Sequence, residues 1–155
     1  MNTETKIRCS YPAAKLKDKP EWIKKEITEE TIDWCKSFAE YLVKKDNSDA
    51  LSTSQLRKFF GALKQIKHSG YDEGKHSSLI QLKPLLAYAV GRDMKEIYNR
   101  NTRETINIPK SKIKELSEEI TSAINMIEKG DKKQFNRFVQ IVEAIVAYHK
   151  AEGGK

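Results

Sequence analysis

The stretch STSQLRKFFGALKQIKHSG, residues 52–70, carries Arg57, Lys58, Lys64, Lys67 and His68 and no acid. Guanidinium and ammonium groups in such a row suit one kind of chemistry, the holding of phosphates: Arg by a two-point fork, Lys as a point charge. At 100° per residue, Ser54, Arg57, Gly61, Lys64 and His68 share one face of a helix. That face lies beside the apolar stripe of Leu56, Phe59, Phe60 and Leu63, with Ile66 on the edge of the stripe. Glycine inside a helix costs about 1 kcal/mol relative to alanine. Gly61 between Arg57 and Lys64 therefore points to a close backbone approach, either by a sugar-phosphate strand lying across the helix or by a neighbouring helix. Lys58 and Lys67 sit farther round, facing phosphate or water.

Other chemistries find little support. His68, His76 and His149 have no Cys or His partners at zinc-ligand spacing. GYDEGKHS resembles a phosphate-binding loop but fails as one. Its glycines, Gly70 and Gly74, are one residue too close, His76 stands where a hydroxyl is required, and a helix precedes it where a strand should. A flexible basic loop able to touch RNA is the better reading. No nucleophile–base pair and no carboxylate cluster for metal is apparent, so neither an enzyme nor a metal or cofactor site is expected. EITEE and ELSEE read as solvated helix faces. Glu143, at the edge of an apolar stripe, reads as the partner of an arginine from another helix, Arg57 or Arg92. Phe59, Phe60, Phe135 and Phe138 fall on core stripes, which leaves them unavailable for stacking on bases.

The elements that must position these residues are helices. Seven glycines and four prolines in 155 residues, with 33% charged, favour helices over a strand-and-turn fold. One helix runs from Pro20 or Thr28 to Lys45 and is broken by DNSD. The second begins at a capping box, Ser52 with Gln55. LKPLLAYAVGR, with Pro84 in its first turn, is apolar nearly all round and reads as a helix central to a bundle. DMKEIYNRNTRETINIP is a looser link with a helical turn or two. Ile113, Leu116, Ile120, Ile124 and Ile127 mark a fourth helix closed by Gly130. Asp131 with Gln134 starts the last, whose stripe is Phe135, Phe138, Val139, Val142, Ile145 and Val146. The expected fold is an all-α, single-domain bundle of about five helices, with a poorly ordered lead-in over 1–20, the helical domain over 21–150 and a tail over 151–155.

Charge is unevenly spread. Of the net +7, residues 51–100 carry +5 and residues 1–50 none. A basic excess confined to one segment points to a polyanionic partner. The longest apolar run, LLAYAV, is too short to span a bilayer. The opening MNTETKIRCSYPAAK lacks an apolar signal core, so a cytoplasmic protein is expected, with Cys9 and Cys35 as free thiols.

STSQLRKFF, LKPLLAYAVGR and FNRFVQIVEAIVAYHK, in this order and spacing, resemble the small helical subunit of type III-A CRISPR–Cas effector (Csm) complexes over roughly residues 28–150. The resemblance implies a noncatalytic subunit that binds guide CRISPR RNA and target RNA. Several copies would stack as an inner filament beside the backbone subunits, in contact with the large subunit. It implies Arg57, Lys58, Lys83 and Arg92 as backbone contacts; helical geometry adds Lys64 and His68. Three other readings remain open: a helical DNA-binding regulator, a small metal-dependent nuclease and a protein-only helical adaptor.

Overall fold

The computed structural model describes residues 11–44 and 50–154. The DNSD break, Cys9 and Lys45 lie outside them. Five long helices account for most of the described residues: α2 (Glu29–Val43), α3 (Thr53–Ser69), α5 (Leu82–Arg92), α6 (Ile113–Met126) and α7 (Lys132–Ala151). Two short ones, α1 (Glu21–Lys24) and α4 (His76–Ile80), fill the links. The bundle is helical as expected, with one two-stranded ribbon added between α5 and α6.

Local chemistry sets the starts. In α3, Ser52 Oγ accepts from the Gln55 amide at 3.2 Å while Gln55 Oε1 accepts from the Ser52 amide at 3.0 Å. Asp131 Oδ1 accepts from the Gln134 amide at 3.0 Å to open α7. Each cap satisfies donors that a helix start otherwise leaves orphaned. The core is then made by α2 lying along α7, with α5 on α6 and α3 bridging α5 and α7. Phe38, Leu42, Phe135, Phe138, Val142 and Ile145 are all essentially inaccessible, and each contributes roughly 1.5–3 kcal/mol by leaving water. Cys35 is buried among them; its thiol donates to the Ile141 carbonyl, and burial pushes its pKa up to about 12, so it is no nucleophile.

Five expectations are corrected. The lead-in is packed from Tyr11 onward. Leu16 is buried, its amide donates to Glu119 Oε1 at 2.9 Å, Tyr11 Oη donates to Glu119 Oε2, and Trp34 Nε1 donates to the Ala14 carbonyl at 2.8 Å. Sequence periodicity has no access to these contacts, because the segment is held by single residues and not by a stripe. ELSEE, in consequence, is not a solvated face: Glu119 is buried beneath the N-terminal segment. The loop after α3 is likewise anchored. Tyr71 is buried and stacks on Phe135 at 4.3 Å, its hydroxyl accepts from the Gly130 amide at 3.0 Å, and it shares a 2.7 Å hydrogen bond with His76 Nδ1.

The link over 93–109 is not helical but a hairpin, β1 (Met94–Asn99) paired antiparallel with β2 (Glu104–Pro109), Ile97 opposite Ile106. β-branched and aromatic residues around a polar NRNTR turn satisfy a ribbon better than a helix. Every residue from Lys95 to Asn107 is exposed. Finally, α5 is peripheral and not central. Leu82 and Leu86 are buried, but Pro84, Ala87, Tyr88 and Gly91 face outward, Tyr88 at 62% exposure.

Glu115, one turn before Glu119, is half-buried, and its Oε2 finds no hydrogen-bond partner among the described residues. Burial, reinforced by the Glu118 carboxylate, raises its pKa above the ordinary 4.5. A raised folded-state value contributes stability in full below the ordinary pKa and loses it as pH rises through the folded value. At pH 7 the ionised side chain is therefore a net cost. Glu115→Gln is expected to raise the urea midpoint at pH 7, with the gain closing as pH approaches 4. Equal gains at both pH values would contradict this origin.

Candidate nucleic-acid interface

Helix α3 lies on the bundle with three distinct flanks. Leu56, Phe59, Leu63 and Ile66 are buried. On the α7 side, Lys67 Nζ meets Glu143 Oε1 at 3.4 Å, both side chains about half exposed. Glu143 thus has a cationic partner on another helix, but it is Lys67 and not the expected Arg57 or Arg92. The reason is angular: Lys67 stands beside Phe60 on the flank nearest α7, whereas Arg57 is turned a further 80° away.

The outward flank carries Arg57, Gly61, Lys64 and His68, all exposed. None of the three side chains with charge or titratable nitrogen meets a carboxylate at ion-pair distance among the described residues. Lys64 Nζ lies 5.4 Å from the Phe60 ring centre, which props the ammonium over an aromatic edge of the core without neutralising it. A Cβ built on Gly61 meets nothing within 4 Å. Among the described residues no neighbouring helix uses the gap, so the intramolecular reason for a glycine here finds no support in them. The outward flank is a one-signed surface with a bare patch at its centre.

The third flank faces α5. Lys58 lies there, on the rim of a groove of about 260 Å³ between α3 and α5 whose opposite rim is Arg92. The Arg92 guanidinium sits 5.7 Å from the Tyr88 ring centre. The groove is held in shape by a polar knot at the root of the hairpin. Asp93 Oδ2 accepts from the Ser111 amide at 2.8 Å and from Ser111 Oγ at 2.7 Å, and Gln55 Nε2 donates to Asp93 Oδ1 at 3.2 Å. This knot ties the first turn of α3 to the residue after Arg92, which fixes Arg92 relative to Lys58. Nothing in the local pattern around Asp93 or Ser111 announces it.

Lys83 stands apart from the other expected contacts. It is nine residues before Arg92, half a turn out of phase, and so lies on the far side of α5. Its Nζ donates to Asn125 Oδ1 of α6 at 2.7 Å. The structure therefore brings Arg57, Lys64 and His68 onto one flank and Lys58 and Arg92 across one groove, and leaves Lys83 bracing α5 against α6. Sequence reasoning missed the exposed Tyr88 and the hairpin's exposed Arg100 and Arg103. The alternation of β-formers on either side of NRNTR was the signal available for the hairpin.

His149 is buried, with Nε2 donating to the Leu51 carbonyl at 2.8 Å, so it fastens the end of α7 to the start of α3. His76 is engaged by Tyr71. Among the described residues no three His, Cys, Asp or Glu side chains converge on a point. No helix among them is long and apolar enough to cross a membrane.

Comparison with curated proteins and with solved structures returned no match. Residues 25–155 match the model of the Csm2 Type III-A family. That span takes in α2 through α7 with both basic flanks and the groove, and the chain accordingly belongs to the Csm2 family, the small subunit of the type III-A CRISPR (Csm) complex.

Proposed function

We propose that this subunit binds the sugar-phosphate backbone of guide RNA and target RNA without sequence specificity. Several copies stack as an inner filament, flanked by backbone subunits and by the large subunit, and the subunit itself performs no catalysis. The observation that carries the reading is the outward flank of α3, where Arg57, Lys64 and His68 surround an open Gly61 with no carboxylate among the described residues to neutralise them. Phosphate contacts position a strand but carry no sequence information. Such a surface suits a subunit that must accept any guide, because sequence is then delegated to base pairing. Each copy meets few phosphates and binds weakly alone; stacking adds effective concentration without new contacts on any one copy.

The test is binding of the isolated protein to scrambled single-stranded RNA and DNA at 50 and 200 mM salt. Three phosphate contacts predict a loss of roughly tenfold or more between these conditions, with no preference for sequence. Salt-independent affinity would sink the phosphate reading. Tight binding to one DNA sequence would instead favour a regulator, and no binding to either polymer a protein-only adaptor.

A further inference from the structure

The groove between α3 and α5 has a composition that the phosphate reading does not use. Its floor is apolar, with Phe59, Leu86 and Ala89; its rims are Lys58 on one side and Tyr88 with Arg92 on the other; and among the described residues no carboxylate lines it. An apolar bed between two cations is complementary to a molecule with a flat apolar body and an anionic tail. We propose that this groove takes a single unstacked base of the bound RNA strand, with Lys58 and Arg92 on its flanking phosphates. The inference rests on the phosphate-binding reading and extends it to a base-binding subsite.

Three features favour an RNA nucleotide over other occupants. At about 260 Å³ the space is smaller than the ~300–1,000 Å³ of pockets for drug-sized ligands, which suits one base and little more. Tyr88 is 62% exposed and presents a free aromatic face on which a base can stack, with the planar Arg92 guanidinium beside it. The one amide lining the groove, Gln55, is already spent: Nε2 on Asp93 and Ser111, Oε1 on the Ser52 amide. A base would thus be held by its face and not read at its edge, which preserves the indifference to sequence that a guide-accepting subunit needs.

The experiment compares the full chain binding to a twelve-residue oligouridylate and to an abasic ribose-phosphate oligomer of equal length. Wild type, Tyr88→Ala and Ala89→Leu are measured, with thermal melting to show that each variant is folded. Oligouridylate should bind wild type about tenfold tighter than the abasic strand, as loss of one base stack implies. Removing the stacking ring or filling the floor should erase that difference. Equal binding of both strands by wild type would overturn the base subsite while leaving the phosphate reading intact. Binding of neither would remove both readings. A base preference that survives in both folded variants would also overturn the assignment, as would competition by uridine monophosphate matching the oligomer, which would give the groove to a free nucleotide.

Discussion

Arg57→Ala combined with Lys64→Ala is expected to weaken RNA binding by about tenfold or more and to flatten its salt dependence. A charge-assisted hydrogen bond contributes about 1.5–3 kcal/mol, or roughly one to two decades of affinity; exposure of both side chains brings the effect toward the low end. Arg57→Ala should cost more than Lys64→Ala, because the guanidinium fork holds phosphate at two points. Stability should change by less than about 1 kcal/mol. Neither residue pairs with an acid among the described residues, Glu143 being engaged by Lys67, and Lys64 gives up only an exposed contact with Phe60. Gly61 supplies the internal control. Alanine there meets open space and should stabilise the helix by about 1 kcal/mol, whereas Gly61→Leu should keep the stability and obstruct a strand lying between Arg57 and Lys64. If affinity per folded molecule holds in the double variant and in Gly61→Leu, the outward flank of α3 does not face RNA.

Glu119→Ala is expected to destabilise the protein by about 3 kcal/mol, equivalent to a melting temperature lower by roughly 6–12 °C for a chain of this size. The carboxylate is buried and receives the Leu16 amide at 2.9 Å and the Tyr11 hydroxyl. Deleting it leaves a buried N–H without an acceptor and frees the segment that also brings the Ala14 carbonyl to Trp34 Nε1. Its reach is visible in Tyr11, whose pKa stands well above the ordinary tyrosine value through burial first and then the Glu119 contact. Glu119→Gln, which keeps the shape and one acceptor, should recover part of the loss. Hydrogen exchange locates the effect: the Leu16 amide should lose protection in Glu119→Ala while amides in the centre of α7 keep theirs. A melting temperature unchanged within a degree would mean that the segment does not depend on Glu119.

Two kinds of information separate along this chain. Whatever repeats with a helical period, or is signalled within one turn, was legible in the residues themselves: the stripes of α3, α6 and α7, the caps at Ser52 and Asp131, and the one-signed flank of Arg57, Lys64 and His68. These follow from local geometry, since side chains three and four apart must share a face whatever the rest of the fold does. Tertiary structure decided the rest, because it depends on which faces meet. Partner choice is one case: Glu143 goes to Lys67 because of the angle at which α3 lies on α7. Exposure is another. LKPLLAYAVGR looks central from composition, yet α5 covers the bundle from one side only and leaves Tyr88 bare. Single-residue anchors are a third, as with Tyr71 on Phe135, His149 on Leu51 and Glu119 under Tyr11 and Leu16. Each joins positions far apart in the chain without any period to betray it. Lys83 and Arg92 sit in one motif and are both basic, but they were parted by half a helical turn and by what packs on each side. One braces Asn125, and the other closes the groove with Lys58. Charge type is a property of the residue, whereas the side of the molecule on which it stands is settled by the burial of its neighbours.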